Sequence, residues 1–368
     1  MRIAFDGTTL RPGQTGIGYY TEHLLRHMLE EAQDEEFVVI SNRPPEPSRP
    51  LPSGFQILEG HRFPIRNLWI QLMAPQAVSQ AQADLAHFTN SVAPLRRRVP
   101  TLVTIHDMSL ALFPRLHPLR RMLTRPLVEL SARRADAVIT VSQSARQDIL
   151  RLTGIAQERV HLIPEAAAPA FQPLNDNRLL DSARQRYGLG KRVILFVGTI
   201  EPRKNLLRLL KAFAPLRRSH QLVCVGDHGW GYKEVRREIE SMGFERDRAV
   251  VLTGYVPFGD LPSLYNLAEI FVFPSLHEGF GLPVLEAMAC GVPVITSRNS
   301  SLSEVAGEAA ELVDPIQVGS IQQALQRLAA DPDRRQELSQ RGLQRSKLFS
   351  WKETARQTLR LYHQIAGH

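Results

Sequence analysis

The chain has 368 residues and a formal net charge of +8; 43% of its residues are apolar and 22% are charged. These proportions are ordinary for a globular protein and exclude a collagen-like, fully disordered or coiled-coil chain. At roughly 150 residues per domain, the length predicts two domains. The two cysteines, Cys224 and Cys290, are too few for a disulfide framework and lack the paired spacing of a zinc site.

The N-terminus and the distribution of charge set further limits. No apolar stretch approaches the ~20 residues of a membrane-spanning helix, and the first residues lack the long apolar run of a signal peptide. A cytoplasmic location is therefore expected. Basic residues are spread along the chain and are not interleaved with aromatic ones, which disfavours a nucleic-acid partner.

Short apolar runs alternate with amphipathic segments through the first half of the chain. The predicted strands are residues 2–7, 37–41, 55–59, 85–88, 101–106, 137–141 and 160–164. Helices are predicted at 18–31, 67–82 and 142–152, the last with Ser142 as its N-cap. Uninterrupted apolar strands are typical of parallel sheets that are covered on both faces.

The pattern restarts after a polar, proline-containing stretch at residues 169–177. Strands are predicted at 192–197, 220–225, 250–256, 270–274, 292–296 and 310–313, and helices at 206–217, 232–241 and 351–365. Two successive βα series indicate two doubly wound α/β domains with a cleft between them, and such sheets bind ligands outside the carboxyl ends of their strands. We place the domains at 1–172 and 173–350. A C-terminal helix follows at 351–368, and packing back on the first domain is one option for it.

The loop after the first strand brings Gly16 and Gly18 to the start of a helix. Glycines there let backbone N–H groups approach an anion at the positively polarised helix end. The GxGxxG dinucleotide fingerprint is not completed, and a flexible connection is the alternative interpretation.

A second loop begins at Gly198, where a strand ends, and continues to Arg203 and Lys204 at a helix start. Two adjacent cations beside free helix N–H groups suit a diphosphate. The alternative is a solvated basic helix cap. The position at the carboxyl end of a strand favours the diphosphate.

The third loop is glycine-rich and lies between a strand that ends at Pro274 and a helix that begins near Pro283. Glu278 lies in the loop and Glu286 about one turn into the helix, so both side chains can face one pocket. Carboxylates suit sugar hydroxyls because each oxygen accepts hydrogen bonds in a fixed geometry. Two exposed glutamates are the alternative.

The segment SLHEGFGLPVLEAMACGVPVITS resembles the EX7E region of retaining GT-B glycosyltransferases of family 4, the group 1 glycosyl transferases. The similarity extends to FVGTIEPRKNL, LTGYVP, LPSLYNLAEIFVFPS and the early GIGYY, and so to nearly the whole chain. It implies a GT-B fold of two Rossmann-like domains facing a central cleft. The first domain would bind the acceptor, and the second the nucleotide-sugar donor.

The resemblance also implies roles for individual residues. Arg203 and Lys204 match the pair that holds the donor diphosphate, and Glu278 matches the glutamate on the donor sugar hydroxyls. Glu286 matches the glutamate that holds the ribose. The other donor-binding matches are Gly16, Gly18, Gly198, Tyr255, Val256, Gly279, Phe280, Gly281 and Leu282.

His106, at a strand end, matches a histidine near the donor sugar and the acceptor; a structural hydrogen-bonding role is the alternative. No paired base and nucleophile are evident, which favours a front-face retaining mechanism in which the leaving diphosphate helps to deprotonate the acceptor. No DxD metal motif is seen in the three predicted loops, so neither a metal nor another cofactor is expected. Glu165 stands where many family members have an Asn-Gly turn, and contact with the acceptor and capping of the strand are both open.

Residues 96–151 are locally basic, with eleven arginines and four acidic residues. Within them, residues 114–135 mix arginine with leucine and methionine. This mixture could bind an anionic membrane surface or a lipid-diphosphate acceptor. It is equally typical of a solvated helix face with ordinary core leucines.

The function that the resemblance implies is transfer of a hexose from a nucleotide sugar to a hydroxyl of a glycan or lipid-linked acceptor. GDP-mannose is the expected donor and a UDP-hexose the second choice, because the overall similarity is to bacterial mannosyltransferases of surface-polysaccharide assembly, including lipopolysaccharide. A GT-B nucleotide-sugar epimerase and a non-catalytic nucleotide-sugar-binding protein are alternatives. The first would need acid and base residues that we do not find. The intact set of basic and acidic site residues argues against the second.

Overall fold

The structure is a computed structural model that describes residues 1–11, 16–47, 54–59, 63–190 and 192–367. It divides into two compact units. The N-terminal unit comprises Met1–Glu165 and Ser350–His368, and the C-terminal unit comprises Ala166–Phe349. Part of the loop before Gly16, residues 12–15, lies outside the described residues.

The N-terminal unit is built on a parallel sheet of seven strands in the order β3-β2-β1-β4-β5-β6-β7. Its strands are β1 (Arg2–Asp6), β2 (Glu36–Ser41), β3 (Phe55–Glu59), β4 (Leu85–Phe88), β5 (Thr101–Thr104), β6 (Ala137–Thr140) and β7 (Val160–Leu162). The central strands are buried along their whole length because helices cover the sheet on both faces.

Within the residues that the structure describes, the helices that link these strands are α1 (Gly16–Glu31), α2 (Arg66–Leu72), α3 (Ala74–Gln80), α4 (Ser109–Leu112), α5 (Leu119–Met122), α6 (Arg125–Arg134) and α7 (Gln143–Thr153). Ser142 caps α7 as the sequence predicts, and its hydroxyl accepts a hydrogen bond from the Ala145 amide at 3.0 Å. The single helix predicted at 67–82 is wrong: the chain breaks at Met73 into α2 and α3. Pro75 lies in the first turn of α3, where its missing N–H leaves no hydrogen bond unmade.

The C-terminal unit contains a second parallel sheet, of six strands in the order β10-β9-β8-β11-β12-β13. The strands are β8 (Val193–Val197), β9 (Gln221–Val225), β10 (Val250–Gly254), β11 (Ala268–Phe273), β12 (Val294–Ser297) and β13 (Ala310–Val313). Strand β10 is shorter than the prediction of 250–256 and ends at Gly254, where φ is +70°.

The helices of this unit are α8 (Asn177–Tyr187), α9 (Leu206–Phe213), α10 (Tyr232–Ser241), α11 (Leu261–Asn266), α12 (Leu282–Ala289), α13 (Ser300–Ala306), α14 (Val318–Ala330) and α15 (Pro332–Ser346). Helix α9 ends before residue 217, its predicted end, because Pro215 falls in a 3₁₀ turn that follows it.

The last helix, α16 (Trp351–Ala366), follows the C-terminal unit in sequence but belongs to the N-terminal one. Its Tyr362 hydroxyl lies 2.6 Å from Nδ1 of His87 in β4, and its Trp351 ring packs 5.8 Å from that of Tyr20 in α1. These contacts bury one face of α16 against α1. Within the described part of the chain, no helix is long and apolar enough to cross a membrane.

Candidate active site

The strongest cluster of predicted site residues lies in the C-terminal unit, after strands β8 and β11. Beyond β8 the chain forms a 3₁₀ turn, Pro202–Lys204, that ends at Asn205 with φ +64°. The side-chain amide of Asn205 donates through Nδ2 to the carbonyls of Pro274 at 2.9 Å and Pro315 at 2.6 Å. These two bonds fix the turn beside the end of β11, so its basic side chains meet the glycine-rich loop.

Glu278 joins both predicted cations. Its Oε2 lies 2.8 Å from Arg203 Nη1, and its Oε1 lies 2.7 Å from Lys204 Nζ. The Ser275 hydroxyl donates to the same Oε1 at 2.6 Å, and Glu201 contacts Arg203 Nη2 at 2.7 Å. Two carboxylates therefore balance two cations, and we call these five residues the ion cluster.

The ion cluster is buried, and its charges set the protonation of Glu278. The side chains of Arg203, Lys204 and Glu278 are 11%, 13% and 10% exposed. Burial alone would raise the pKa of Glu278, but the charges of Arg203 and Lys204 outweigh it and lower that pKa to about 2. Glu278 is therefore ionised at neutral pH, and both of its oxygens are engaged.

The glycine-rich loop is held by hydrogen bonds to two serines of helix α13. The Ser301 hydroxyl donates to the carbonyls of Glu278 and Phe280, at 2.8 Å each, and the Ser300 hydroxyl accepts from the Glu278 amide at 3.2 Å. Gly281 has φ +113°, and an added Cβ would lie 2.7 Å from Leu302. Gly279, Phe280, Gly281 and Leu282 thus form a tight turn into α12, as the spacing predicts.

Glu286 lies in α12 and is paired with a buried tyrosine. The Tyr265 hydroxyl donates to Glu286 Oε2 at 2.7 Å, and Tyr265 itself is fully buried in α11. Burial and the Glu286 charge both raise the pKa of Tyr265, so it remains a hydrogen-bond donor. Tyr255, at the end of β10, is 48% exposed, whereas the neighbouring Val256 is buried.

Gly198 is placed beside the ion cluster by close contact of two backbones. A Cβ on Gly198 would lie 3.7 Å from the Lys204 side chain. A Cβ on Gly226, after β9, would lie only 2.1 Å from the Gly198 carbonyl oxygen. Gly226 therefore has to be a glycine, a requirement that the sequence interpretation missed.

The N-terminal unit holds the remaining predicted residues. Gly16 is the first residue of α1, and Gly18, two positions later in the same helix, is buried. His106 follows β5, and its Nδ1 lies 2.9 Å from Glu165 Oε1 while its Nε2 lies 3.0 Å from the Thr89 carbonyl. The structure thus brings His106 to Glu165, whose position after β7 left its role open.

Sequence reasoning missed several side chains that complete these groups. They are Glu201 and Ser275 in the ion cluster, Asn205 and Ser301 behind it, and Tyr265 on Glu286. Glu201, Asn205, Ser275 and Tyr265 lie inside the motifs named above, and Ser301 lies four residues after one of them, so proximity in sequence was an available signal. The contact of Tyr265 with Glu286 depends on how α11 and α12 pack.

Comparison with known proteins agrees with the resemblance. Residues 15–169 match the profile described as Glycosyltransferase Family 4, and residues 180–345 match that of Glycosyl transferases group 1. The chain is 32% identical to O-antigen chain mannosyltransferase B of Escherichia coli over 98% of this chain and 99% of that one.

Solved structures show the same fold. Sucrose-phosphate synthase from Thermosynechococcus elongatus superposes with a TM-score of 0.80 at 22% identity, covering 99% of both chains. Anabaena Alr3699/HepE, in complex with UDP and glucose, gives a TM-score of 0.78 at 20% identity, covering 98% of this chain and 99% of that one. The fold is thus GT-B, with two Rossmann-like domains. The chain belongs to glycosyltransferase family 4, the group 1 glycosyl transferases, and is a hexosyltransferase.

Proposed function

We propose that this protein transfers mannose from GDP-mannose to a hydroxyl of a glycan or lipid-linked acceptor, with retention at the anomeric carbon. The observation that carries the proposal is the ion cluster, in which two buried cations stand at a strand end beside a glycine-rich turn. The choice of mannose follows the similarity to the E. coli O-antigen chain mannosyltransferase.

Negative charge develops on the nucleoside diphosphate as it leaves, so the reaction is favoured by positively charged groups at that place. The bond from the anomeric carbon to the diphosphate oxygen breaks, a bond to the acceptor oxygen forms on the same face, and the acceptor proton passes to the diphosphate. Arg203 and Lys204 would stabilise the charge that develops on the diphosphate, which is the type of interaction that contributes most to catalysis in many enzymes.

Glu278 is poorly suited to act as a covalent nucleophile. A carboxylate with a pKa of about 2, whose oxygens already accept from Lys204, Ser275 and Arg203, has little basicity to offer to a carbon centre. This property favours the front-face mechanism over double displacement. It leaves Glu278 suited to accept hydrogen bonds from sugar hydroxyls.

Donor identity is tested by thermal shift with GDP-mannose, UDP-glucose and UDP-N-acetylglucosamine, followed by NMR of the anomeric proton in the product. We expect GDP-mannose to stabilise the protein most and the product to keep the α configuration of the donor. Lys204→Ala should abolish turnover and the shift, whereas Lys211→Ala, which removes an exposed lysine of the same unit, should change neither. Stabilisation by UDP-glucose alone would replace the donor with a UDP-hexose, and an inverted product would refute retention.

We further propose that the transfer needs no metal, since the guanidinium of Arg203 and the ammonium of Lys204 would contact the diphosphate in place of a metal ion. Turnover should then be the same in EDTA as in Mg²⁺. A loss of activity in EDTA that Mg²⁺ restores would contradict this.

An anionic membrane is proposed as the surface on which the acceptor is met. Leu119 and Leu123 are 82% and 73% exposed around α5, within the basic segment 96–151. Among the described side chains of this segment, three arginines form ion pairs within it, namely Arg97 with Asp136, Arg125 with Glu129 and Arg151 with Asp148. The net excess of positive charge in this segment still favours anionic lipid.

Flotation with anionic and neutral liposomes at low and high salt tests this surface. We expect binding to anionic liposomes at low salt, lost when Leu119 and Leu123 are both changed to serine. Leu348→Ser, which removes an exposed leucine from the C-terminal unit, is the control. Equal flotation of the double variant and the wild type would rule out this surface.

A further inference from the structure

A buried carboxylate–imidazole pair connects the ends of strands β5 and β7. His106 and Glu165 are 9% and 4% exposed, and they meet at 2.9 Å between Nδ1 and Oε1. The other ring nitrogen, Nε2, lies 3.0 Å from the carbonyl oxygen of Thr89. Both nitrogens of the ring therefore face oxygen atoms.

The chemistry of these partners fixes where the protons are. A backbone carbonyl can only accept a hydrogen bond, so Nε2 must carry a proton to make this contact. With Nε2–H in place, Nδ1 can donate to the Glu165 carboxylate only when the ring carries both protons. In this form Nε2–H is donated to the Thr89 carbonyl, and Nε2 has no lone pair that could accept a proton.

We propose that Glu165 is a positioning residue for the transfer reaction, which fixes His106 as a hydrogen-bond donor through Nε2 and prevents it from acting as a base. The inference rests on the proposed function and on the family resemblance, which implies that His106 lies near the transferred sugar and the acceptor. It agrees with a mechanism in which the departing diphosphate, and no side chain, takes the acceptor proton.

The surroundings of the pair hold it in place. The Thr354 hydroxyl of α16 donates to the Pro164 carbonyl at 2.7 Å, which anchors the segment just before Glu165. The Tyr20 ring of α1 meets the His106 ring edge-on, with centroids 4.7 Å apart. Neighbouring elements thus hold the backbone before Glu165 and the plane of the His106 imidazole.

Glu165 is also the group that decides the charge on His106. Burial disfavours the imidazolium, but the hydrogen bond and charge of Glu165 act against it, and with smaller contributions from the Thr89 carbonyl and Asp107 they raise the pKa of His106. The other titratable groups that face it are neutral: burial raises the pKa of Tyr20 and lowers the pKa of His87 to about 3. Removing the Glu165 charge should therefore leave burial dominant and lower the pKa of His106 below its ordinary 6.5.

The experiment measures His106 directly and then its effect on turnover. The ¹⁵N shifts of the His106 ring are followed against pH in the wild type and in Glu165→Gln, and kcat and KM are measured over the same range. We expect the His106 titration to move down by at least about one pH unit, which is a tenfold change in its protonation equilibrium. The fall of kcat with rising pH should move with it, and the KM for GDP-mannose should change by less than about twofold.

Three further variants make the result specific. Glu165→Asp should restore part of the wild-type pH profile, because it returns the carboxylate. His106→Asn, which keeps an N–H donor, should retain more activity than His106→Ala. Glu158→Gln removes an exposed carboxylate just before β7 and should match the wild type.

The outcomes separate this inference from the proposed function. If Glu165→Gln loses thermal stability but its His106 titration and kcat profile coincide with those of the wild type, Glu165 is only structural and the inference is wrong. A kcat that rises as His106 loses a proton would show a base and would also overturn it. If the wild type uses no GDP-mannose, the proposed donor fails, and the NMR titration still decides the role of Glu165.

Discussion

Replacing Glu278 with glutamine tests the ion cluster most directly. The change keeps the size of the side chain but removes the charge that lies 2.8 Å from Arg203 and 2.7 Å from Lys204. Since Glu201 remains as the only carboxylate of the cluster, one net positive charge stays in a site whose side chains are about nine-tenths buried. Buried charge without a counter-charge is strongly unfavourable.

The pKa of Glu278 gives the size of the effect. It falls from its ordinary 4.5 to about 2, and at about 1.4 kcal/mol per unit the cations favour the ionised form by roughly 3 kcal/mol, net of burial. Loss of one partner from a buried ion pair typically costs about 3–5 kcal/mol. We therefore expect Glu278→Gln to lower the free energy of unfolding by about 3 kcal/mol, or the Tm of the C-terminal unit by roughly 6–12 °C.

Calorimetry with and without GDP provides the assay. Because the variant cluster has excess positive charge, the diphosphate of GDP should raise its Tm more than that of the wild type. Turnover should fall by about 10²- to 10³-fold, as expected when one electrostatic contact in a reaction site is lost. The control is Glu238→Gln, which removes a carboxylate that is only 27% exposed but lies 3.6 Å from the exposed Lys211 in the same unit, and this change should cost less than about 1 kcal/mol.

The dependence of the free energy of unfolding on acidic pH provides a second measurement. Because the folded-state pKa of Glu278 lies below the ordinary value, its stabilisation is complete above pH 4.5 and is lost as the pH falls toward about 2. The difference in unfolding free energy between wild type and variant should shrink over that window. If the variant melts at the wild-type temperature, or GDP shifts both proteins equally, then Glu278 does not neutralise these cations and the reasoning is refuted.

Two more predictions concern single hydrogen-bonding groups. Tyr265→Phe removes the 2.7 Å hydrogen bond to Glu286 and should weaken GDP binding about tenfold in titration calorimetry, because a hydrogen bond to a charged group contributes about 1.5–3 kcal/mol. The control is Tyr187→Phe, which loses a hydrogen bond to Asp260. Equal GDP affinities for the two variants would contradict a role for Tyr265. Burial lowers the pKa of His87 from 6.5 to about 3, so its neutral form stabilises the fold above pH 6.5 and this contribution is lost as the pH falls toward 3. The stability difference between wild type and His87→Asn in urea should therefore shrink on acidification, and a constant difference would show that His87 is not held neutral.

Much of the fold is predictable because its signals are local. The segments 192–197 and 137–141 are mostly apolar, and the strands within them, β8 and β6, are buried at every residue. The errors occurred where a proline or a glycine ends an element inside an otherwise regular pattern, as at Pro75, Pro215 and Gly254. Those residues were visible in the sequence, and giving them more weight would have corrected the boundaries.

The order of strands within each sheet was beyond the sequence pattern. Strand β1 pairs with β2 on one side and β4 on the other, and β8 pairs with β9 and β11. Alternation of strands and helices indicates a parallel sheet but does not state where the order reverses. That choice depends on how the helices pack over the whole sheet, which no local window contains.

The candidate site divides along the same line. Arg203, Lys204 and Glu278 were found because motifs of adjacent residues contain them, and the structure joins all three. The pairing of His106 with Glu165 spans 59 positions, and it exists because β5 and β7 flank β6 and end at the same edge of the sheet. No motif in the sequence around either residue predicts its contact with the other. A lone histidine and a lone glutamate become one chemical group only when the strand order is known, and this is why the sequence left the role of Glu165 open.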